Sequence, residues 1–285
     1  MAEILIVGAG VSGLATAAFL DGEGHDITVL EANDAPGGNV RTEHVGGRTL
    51  DRAANGWLNS EPAMDRLLAR TGLTDQQLPA SDRRAPRWIF ADGKMQAAPM
   101  SPLRLATTGL LSGWSKLRLL GEPFVGKASP EADETIADFV SRRLGSGFNA
   151  RMVGPMVAGI YAARPDQISL QAAFPKMWQM EQEYGSLFIA ALRRRRGGAP
   201  PGHLTTMKRG AGQLTGAIAE QLGDRLRCGV TVKAIERRRD DWQVHTADSV
   251  LRADAVVLAC PAWAQAPIVR GLDRELADVL DSIPY

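Results

Sequence analysis

The sequence predicts an α/β fold: a Rossmann-like dinucleotide-binding domain carrying an inserted, mostly helical domain. Three observations predict it. Residues 3–31 run strand, glycine turn, helix, strand and terminal acid. Strand-type sequence returns at residues 225–262. The stretch between them is patterned mostly as helices from about residue 61, with capping residues and closing glycines.

Ile4 to Val7 is a short apolar run, as expected of a strand buried in a parallel sheet. Gly8, Gly10 and Gly13 then form G-x-G-x-x-G. The first lets the chain turn tightly, the second lets backbone approach a pyrophosphate, and the third lets helix pack on strand. Amides at the helix amino terminus face the phosphates. Asp26 to Leu30 form the second strand, and Glu31 ends it. A carboxylate there accepts hydrogen bonds from ribose hydroxyls and repels a ribose phosphate, which disfavours NADP. In a chain with 30 glycines the glycine pattern alone is weak. Strand, helix and placed acid together make it a dinucleotide signal.

The residues after Glu31 separate FAD from NAD. "EANDAPGGNVRT" supplies Gly37, Gly38 and Arg41 directly after the acid, where an NAD domain would run into another helix and strand. This glycine pair with a following Arg resembles the FAD proteins of the amine-oxidase superfamily. The resemblance implies FAD as cofactor, with backbone at Gly37 and Gly38 lying against it and Arg41 helping to hold the pyrophosphate. Residues 225–262 read as a strand from Val230 to Ile235, a charged turn, a strand around Trp242 to His245, and a buried strand from Ala255 to Ala259. The resemblance puts the first of these past the adenine, with Val232 in the contacting position.

In the inserted part, "SEPAMDRLLARTGL" has a capping Ser60, an apolar stripe and a closing Gly72. "RWIFADGKMQAAP" reads as a hairpin turning at Asp92-Gly93. "DETIADFVSRRLG" is a helix with Ile136, Phe139, Val140 and Leu144 on one face, Arg142 and Arg143 near its end and Gly145 after it. Ser169 caps "LQAAF", and Pro175 suits the first turn of "PKMWQMEQEYG". "GGAPPG", residues 197–202, is the linker back. The expected domain limits are 1–82 for the first FAD-binding segment, 83–204 for the insertion, 205–270 for the second FAD-binding segment, and 271–285 for the start of a substrate-domain segment.

"DETIADFVSRRLG", "MVGPMVAGIYAARPDQISLQAAFPKMWQMEQEYGSL" and "DSIPY" closely resemble the oxygen-dependent protoporphyrinogen oxidases of haem biosynthesis. The family usually has Gly where this chain has Ala163. The resemblance implies removal of six electrons from a porphyrinogen, two at a time, with O2 as final acceptor and H2O2 as product. The chemistry then belongs to the flavin, and the protein orients and desolvates the macrocycle. Arg87, in "APRWIF", matches the family's partner for a substrate propionate; without the resemblance it reads as a surface residue, as Arg83 and Arg84 do. Gly159 and Tyr161 line the pocket on one reading, and are a tight turn and a core aromatic on the other. Family members continue past "IPY", so the sequence is expected to be the first three-fifths or so of a complete enzyme, its carboxy-terminal part absent. Coproporphyrinogen as substrate, and a non-catalytic flavin- or porphyrin-binding remnant, are the alternatives.

A net charge of +1 draws no nucleic acid globally, but residues 83–127 carry eight Lys or Arg against Asp92 and Glu122. Within that stretch "TTGLLSGWSKLRLLGEPF" has two readings. It is an interfacial helix with Lys116 and Arg118 on anionic headgroups, or an ordinary core-facing helix. "RRRR", residues 193–196, reads as a solvated helix end. Cys228 and Cys260 form no C-x-x-C, Cys260 reads as a buried reduced thiol, and the four histidines suggest no metal site. No catalytic Ser/His/Asp set or carboxylate pair is evident. The first strand begins almost at Met1 and no apolar run reaches about 18 residues. The expectation is a cytoplasmic chain, free or peripheral on the inner face of the cell membrane, as monomer or homodimer.

Overall fold

The computed structural model describes residues 1–59, 61–80, 86–194, 203–239 and 241–285. Ser60, Arg83, Arg84, Arg195, Arg196 and the 197–202 linker lie outside the described residues. The chain forms two compact units, one from Met1–Arg83 with Pro201–Tyr285 and one from Arg84–Pro200.

The first unit opens with β1 (Glu3–Val7), α1 (Val11–Asp21) and β2 (Asp26–Leu30). A hairpin of β3 (Thr42–Val45) and β4 (Arg48–Asp51) follows, then β5 (Trp57–Leu58), α2 (Pro62–Arg70) and β6 (Gln77–Pro79). Helix α2 has Glu61 at its amino-terminal cap position and buries Leu67 and Leu68. Gly72, with φ of +69°, closes it as the sequence suggests.

The second unit starts with β7 (Trp88–Ala91) and β8 (Lys94–Ala97). Asp92 and Gly93 both have positive φ, 54° and 74°, the conformation a two-residue hairpin turn demands. Next come α3 (Pro102–Thr107), α4 (Gly113–Leu120), α5 (Ile136–Leu144), the short α6 (Ser146–Phe148) and a π-helical stretch, Asn149–Val153. Then follow α7 (Gly154–Tyr161), α8 (Leu170–Ala173), α9 (Pro175–Tyr184) and α10 (Leu187–Arg194). Thr135 caps α5 by accepting from the Asp138 amide, and Ser169 caps α8 by accepting from the Ala172 amide. The predicted face of α5 is the buried one: Ile136, Phe139, Val140 and Leu144 pack with Leu111, Leu119, Val153, Val157 and Leu170.

Two expectations for this unit change. Arg142 and Arg143 do not merely complement the end of a helix dipole. Arg143 is fully buried, 2.6 Å from both Glu122 and Glu181, and Arg142 pairs with Glu181 and Glu134 at 2.9 and 2.7 Å. Glu122 also accepts from the Leu187 amide at 2.9 Å, satisfying an orphan donor at the start of α10. Burial pushes the Glu122 carboxyl up. The Ser186 hydroxyl, the Leu187 amide, Arg143 and the Phe188 amide outweigh burial and hold it below the usual carboxylate range. Arg118, read as part of a basic face, turns inward and donates to the Arg142 and Arg143 carbonyls at 2.5 and 3.3 Å.

The chain returns to the first unit with β9 (Leu204–Met207), α11 (Gly212–Leu222), β10 (Leu226–Arg227), β11 (Val232–Arg237), β12 (Trp242–Thr246), β13 (Val250–Ala253), β14 (Ala255–Leu258), α12 (Ala262–Val269) and α13 (Arg274–Asp281). Strands β10, β2, β1 and β14 form a parallel sheet in that order. Successive side chains of β1 point to opposite faces. Ile4 and Ile6 meet Leu14 of α1, Leu68 of α2 and Ile218 of α11 in one core. Leu5 and Val7 meet Val232, Val244, Ile268 and Ala277 in the other. Both faces of the sheet are therefore covered, which explains why β1 reads as an unbroken apolar run. Strands β11 to β13 form a separate antiparallel sheet over the second face.

Candidate dinucleotide site

Three glycines shape the turn between β1 and α1, each for a different reason. Gly8 has φ of +104°, a backbone that L side chains rarely adopt, and its amide donates to the Leu30 carbonyl at 2.8 Å. A Cβ on Gly13 would fall 1.9 Å from the Gly8 carbonyl oxygen, so α1 seats against the turn only without one. Gly10 has an ordinary φ of −71°, and a Cβ there would meet no atom within 4 Å. Its missing side chain leaves open space beside the first amides of α1, where an anion is favoured.

The second glycine pair closes onto the first. The Gly37 amide donates to the Ala9 carbonyl at 2.7 Å, and Gly10 and Gly37 form an isolated parallel bridge. Gly37 and Gly38 have φ of +108° and +54°, and a Cβ on Gly38 would lie 3.2 Å from Gly10 Cα. Arg41 follows, half-buried, and its guanidinium makes no hydrogen bond or ion pair among the described residues. Glu31, 6 % exposed at the end of β2, accepts from the Ala9 amide through Oε2 at 2.7 Å. Gly8, Gly10, Gly13, Glu31, Gly37, Gly38 and Arg41 thus meet at the carboxyl end of the parallel sheet, where ligands bind open α/β sheets. Val232 reaches the same end, because the Val230 amide donates to the Glu31 carbonyl at 2.8 Å. Its side chain is buried in the core that also holds Leu5, Val7 and Leu30.

The sequence reading overlooked one support of this cradle. Thr42 donates to Asp51 Oδ1 at 2.5 Å, Asp51 Oδ1 accepts from the Ala211 amide at 3.0 Å, and Thr42 Oγ1 accepts from the Gly212 amide at 2.8 Å. Thr215 Oγ1 donates to the Val40 carbonyl at 2.8 Å. The 37–42 loop is thereby fastened to the start of α11. "KRGAGQ", a second glycine-rich helix start, is the signal that could have revealed it.

Cys228 and Cys260 are both half-buried and free. Burial, and the charge of nearby Glu31, push both thiols up, which disfavours their thiolate forms. Among the described residues no cluster of His, Cys, Asp or Glu is placed to hold a metal.

The remaining candidates lie in the helical unit. Arg87 is exposed, just ahead of β7, and its guanidinium has no partner among the described residues. Gly159 and Tyr161 sit on α7, two positions apart and so on different sides of the helix. A Cβ on Gly159 would meet nothing within 4 Å. Tyr161 is partly exposed, donates to the Ala173 carbonyl at 3.3 Å and packs edge-on against Phe174 at 5.7 Å. Arg151, just ahead of α7, clasps both carboxylate oxygens of Asp92 at 2.8 Å, tying the hairpin of Arg87 to the segment that leads into α7. The join after α7 has Ala162 left-handed, with φ of 51°, at the position before Ala163. It is pinned to α5 by Ile136 N–H donating to Ile168 O and Leu170 N–H donating to Glu134 O.

Comparison with known proteins agrees with this geometry. A protoporphyrinogen oxidase of Oryza sativa subsp. japonica is 30 % identical over 309 aligned residues, covering 100 % of this chain and 57 % of its own length. A coproporphyrinogen III oxidase of Propionibacterium freudenreichii is 29 % identical, over 99 % of this chain and 61 % of its own. The chain thus spans a little over half the length of these relatives. A solved structure from Exiguobacterium sp. 255-15, provisionally assigned as a protoporphyrinogen oxidase, superposes with a TM-score of 0.80 at 25 % identity, over 96 % of this chain and 63 % of its own. The family model described as flavin containing amine oxidoreductase matches residues 11–285. The chain belongs to the flavin-containing amine oxidoreductase family, with FAD as its cofactor.

Proposed function

We propose that the protein oxidises protoporphyrinogen IX to protoporphyrin IX with FAD and O2. The observation that carries this is the match of protoporphyrinogen oxidases along the whole chain, from the FAD cradle through the helical unit. Bound FAD supplies two-electron oxidation, so removing six hydrogens consumes three O2 and releases three H2O2. The chain's own part is to hold the cofactor and orient the substrate. Glu31 accepts from the adenosine ribose. Gly10, Gly37 and Gly38 admit the pyrophosphate to the amides of α1, and Arg41 meets its charge. Val232 marks the strand that passes the adenine.

Arg87 pairs with a substrate propionate on this reading, and Gly159 and Tyr161 line the pocket. A guanidinium faces a carboxylate with two parallel N–H groups, and Arg87 has none of its donors engaged by the described residues. Arg87→Ala is expected to raise KM for protoporphyrinogen about tenfold or more while flavin content stays normal. Unchanged KM and kcat would return Arg87 to the ordinary surface. The match to coproporphyrinogen III oxidases over nearly the whole chain favours coproporphyrinogen III as the second reading. Rates with the two porphyrinogens, followed by porphyrin fluorescence in air, decide between them.

We further propose that the helical unit touches an anionic membrane surface. Leu103 of α3, Trp114, Leu117 and Leu120 of α4, and nearby Met100 and Phe124 are all more than half exposed. An apolar groove of about 820 Å³ runs between Met100, Leu105, Leu117 and Phe188, with Lys116 at its edge. No helix among the described residues is long and apolar enough to cross a membrane. Trp114→Glu with Leu117→Glu is expected to abolish cosedimentation with phosphatidylglycerol vesicles and leave flavin content intact. Equal sedimentation of variant and wild type would remove the membrane reading.

A further inference from the structure

Two residues beyond Glu31, Asn33 holds the Glu31 carboxylate. Its backbone N–H donates to Glu31 Oε1 at 2.9 Å and its side-chain amide donates to the same oxygen at 2.5 Å. The Ala9 amide donates to Oε2 at 2.7 Å. A carboxylate has about four acceptor positions. Three are taken, and the fourth is on Oε2. Asn33 is itself anchored, its carbonyl accepting from the Gly229 amide at 3.0 Å. Its amide can face a carboxylate only through Nδ2, since Oδ1 would repel it.

We propose that Asn33 is a positioning residue for adenosine recognition: it saturates Glu31 Oε1 and leaves the one free acceptor position, on Oε2, for a ribose hydroxyl. This rests on the reading that Glu31 binds the FAD ribose. A lone carboxylate would exchange its two oxygens by rotation about its last bond. A carboxylate fixed from both sides presents one acceptor in one direction, and orientation achieved before binding is affinity gained at binding. Asn33 touches the acid rather than the cofactor, so its effect on FAD passes through Glu31.

The test is an FAD titration of the apoprotein, read by quenching of flavin fluorescence, for wild type, Asn33→Ala, Asn33→Asp and Glu31→Ala between pH 5 and 8. Asn33→Ala is expected to bind FAD about tenfold more weakly at every pH. Asn33→Asp puts a second carboxylate against Glu31 and should bind more weakly still at pH 8. Its loss should shrink toward pH 5, where the two acids share a proton and the protonated one donates as the amide did. That change occurs within one variant, so a folding defect would not reproduce it. FAD binding by Asn33→Ala equal to wild type, or an Asn33→Asp curve that follows Asn33→Ala at every pH, would overturn the inference. If Glu31→Ala also binds as wild type, the ribose reading itself fails; if Glu31→Ala is weakened and Asn33→Ala is not, only the role of Asn33 fails.

Discussion

A Gly10→Val protein is expected to fold, to melt close to the wild type, and to purify without flavin. Gly10 is one of the few glycines in the cradle whose backbone any residue can adopt, and a Cβ there meets no protein atom within 4 Å. The protein itself does not need the glycine. A cofactor that approaches the backbone at that point does, because the valine methyls would fill the space beside the first amides of α1. Gly13→Ala should behave in the opposite way. Its new methyl would sit 1.9 Å from the Gly8 carbonyl oxygen, forcing α1 off the end of β1. A loss of about 3 kcal/mol in folding stability is expected, whatever the cofactor does. Melting temperature and flavin released on denaturation separate the cases. Full flavin content in Gly10→Val would remove the pyrophosphate from this turn.

Arg143→Met is expected to destabilise the helical unit by about 3–5 kcal/mol, a loss readable by urea unfolding followed by circular dichroism. Arg143 is completely buried between Glu122 and Glu181, and its removal leaves Glu122 without a cation. The pH dependence gives a second signature. In the wild type the Glu122 carboxyl is held below its ordinary range, so its contribution is fully present above the unfolded value, about 4.3. It is lost as pH falls through the lower folded value. In the variant the stranded carboxylate is unfavourable when charged and gains by taking up a proton. The stability gap should therefore narrow as pH falls from 8 toward 4. A gap that is small, or that widens on acidification, would contradict the network as described.

The parts of the fold that depend on local pattern were legible in the sequence. Asp26–Leu30, the Asp92-Gly93 turn and the apolar face of α5 are set by residues within one or two turns of each other, so period and turn chemistry decide them. The glycine cradle was legible for the same reason, since Gly8, Gly10 and Gly13 act on one turn and Glu31 ends the next strand. The contacts that escaped are those that long loops bring together. Glu122 meets Arg143 from 21 residues away and the start of α10 from 65, and "GEPF" carries no mark of either meeting. Thr42 and Asp51 meet Gly212 and Ala211 from about 160 to 170 residues away. The partners of Arg118 and Arg143 escaped because a basic residue near a helix end fits a basic face or the helix dipole until those partners are known. In the porphyrinogen part, the residues proposed for the substrate came from resemblance, because an exposed Arg87 has nothing local to distinguish it.

The most direct test of the central proposal is to supply purified, flavin-loaded protein with freshly reduced protoporphyrinogen IX and coproporphyrinogen III in air. Porphyrin fluorescence and H2O2 are monitored together. The expected result is flavin-dependent porphyrin formation with about three H2O2 per porphyrin, faster with protoporphyrinogen, and no enzymatic rate from the Gly10→Val protein. A flavin-loaded protein that forms neither porphyrin above the rate of autoxidation would contradict it.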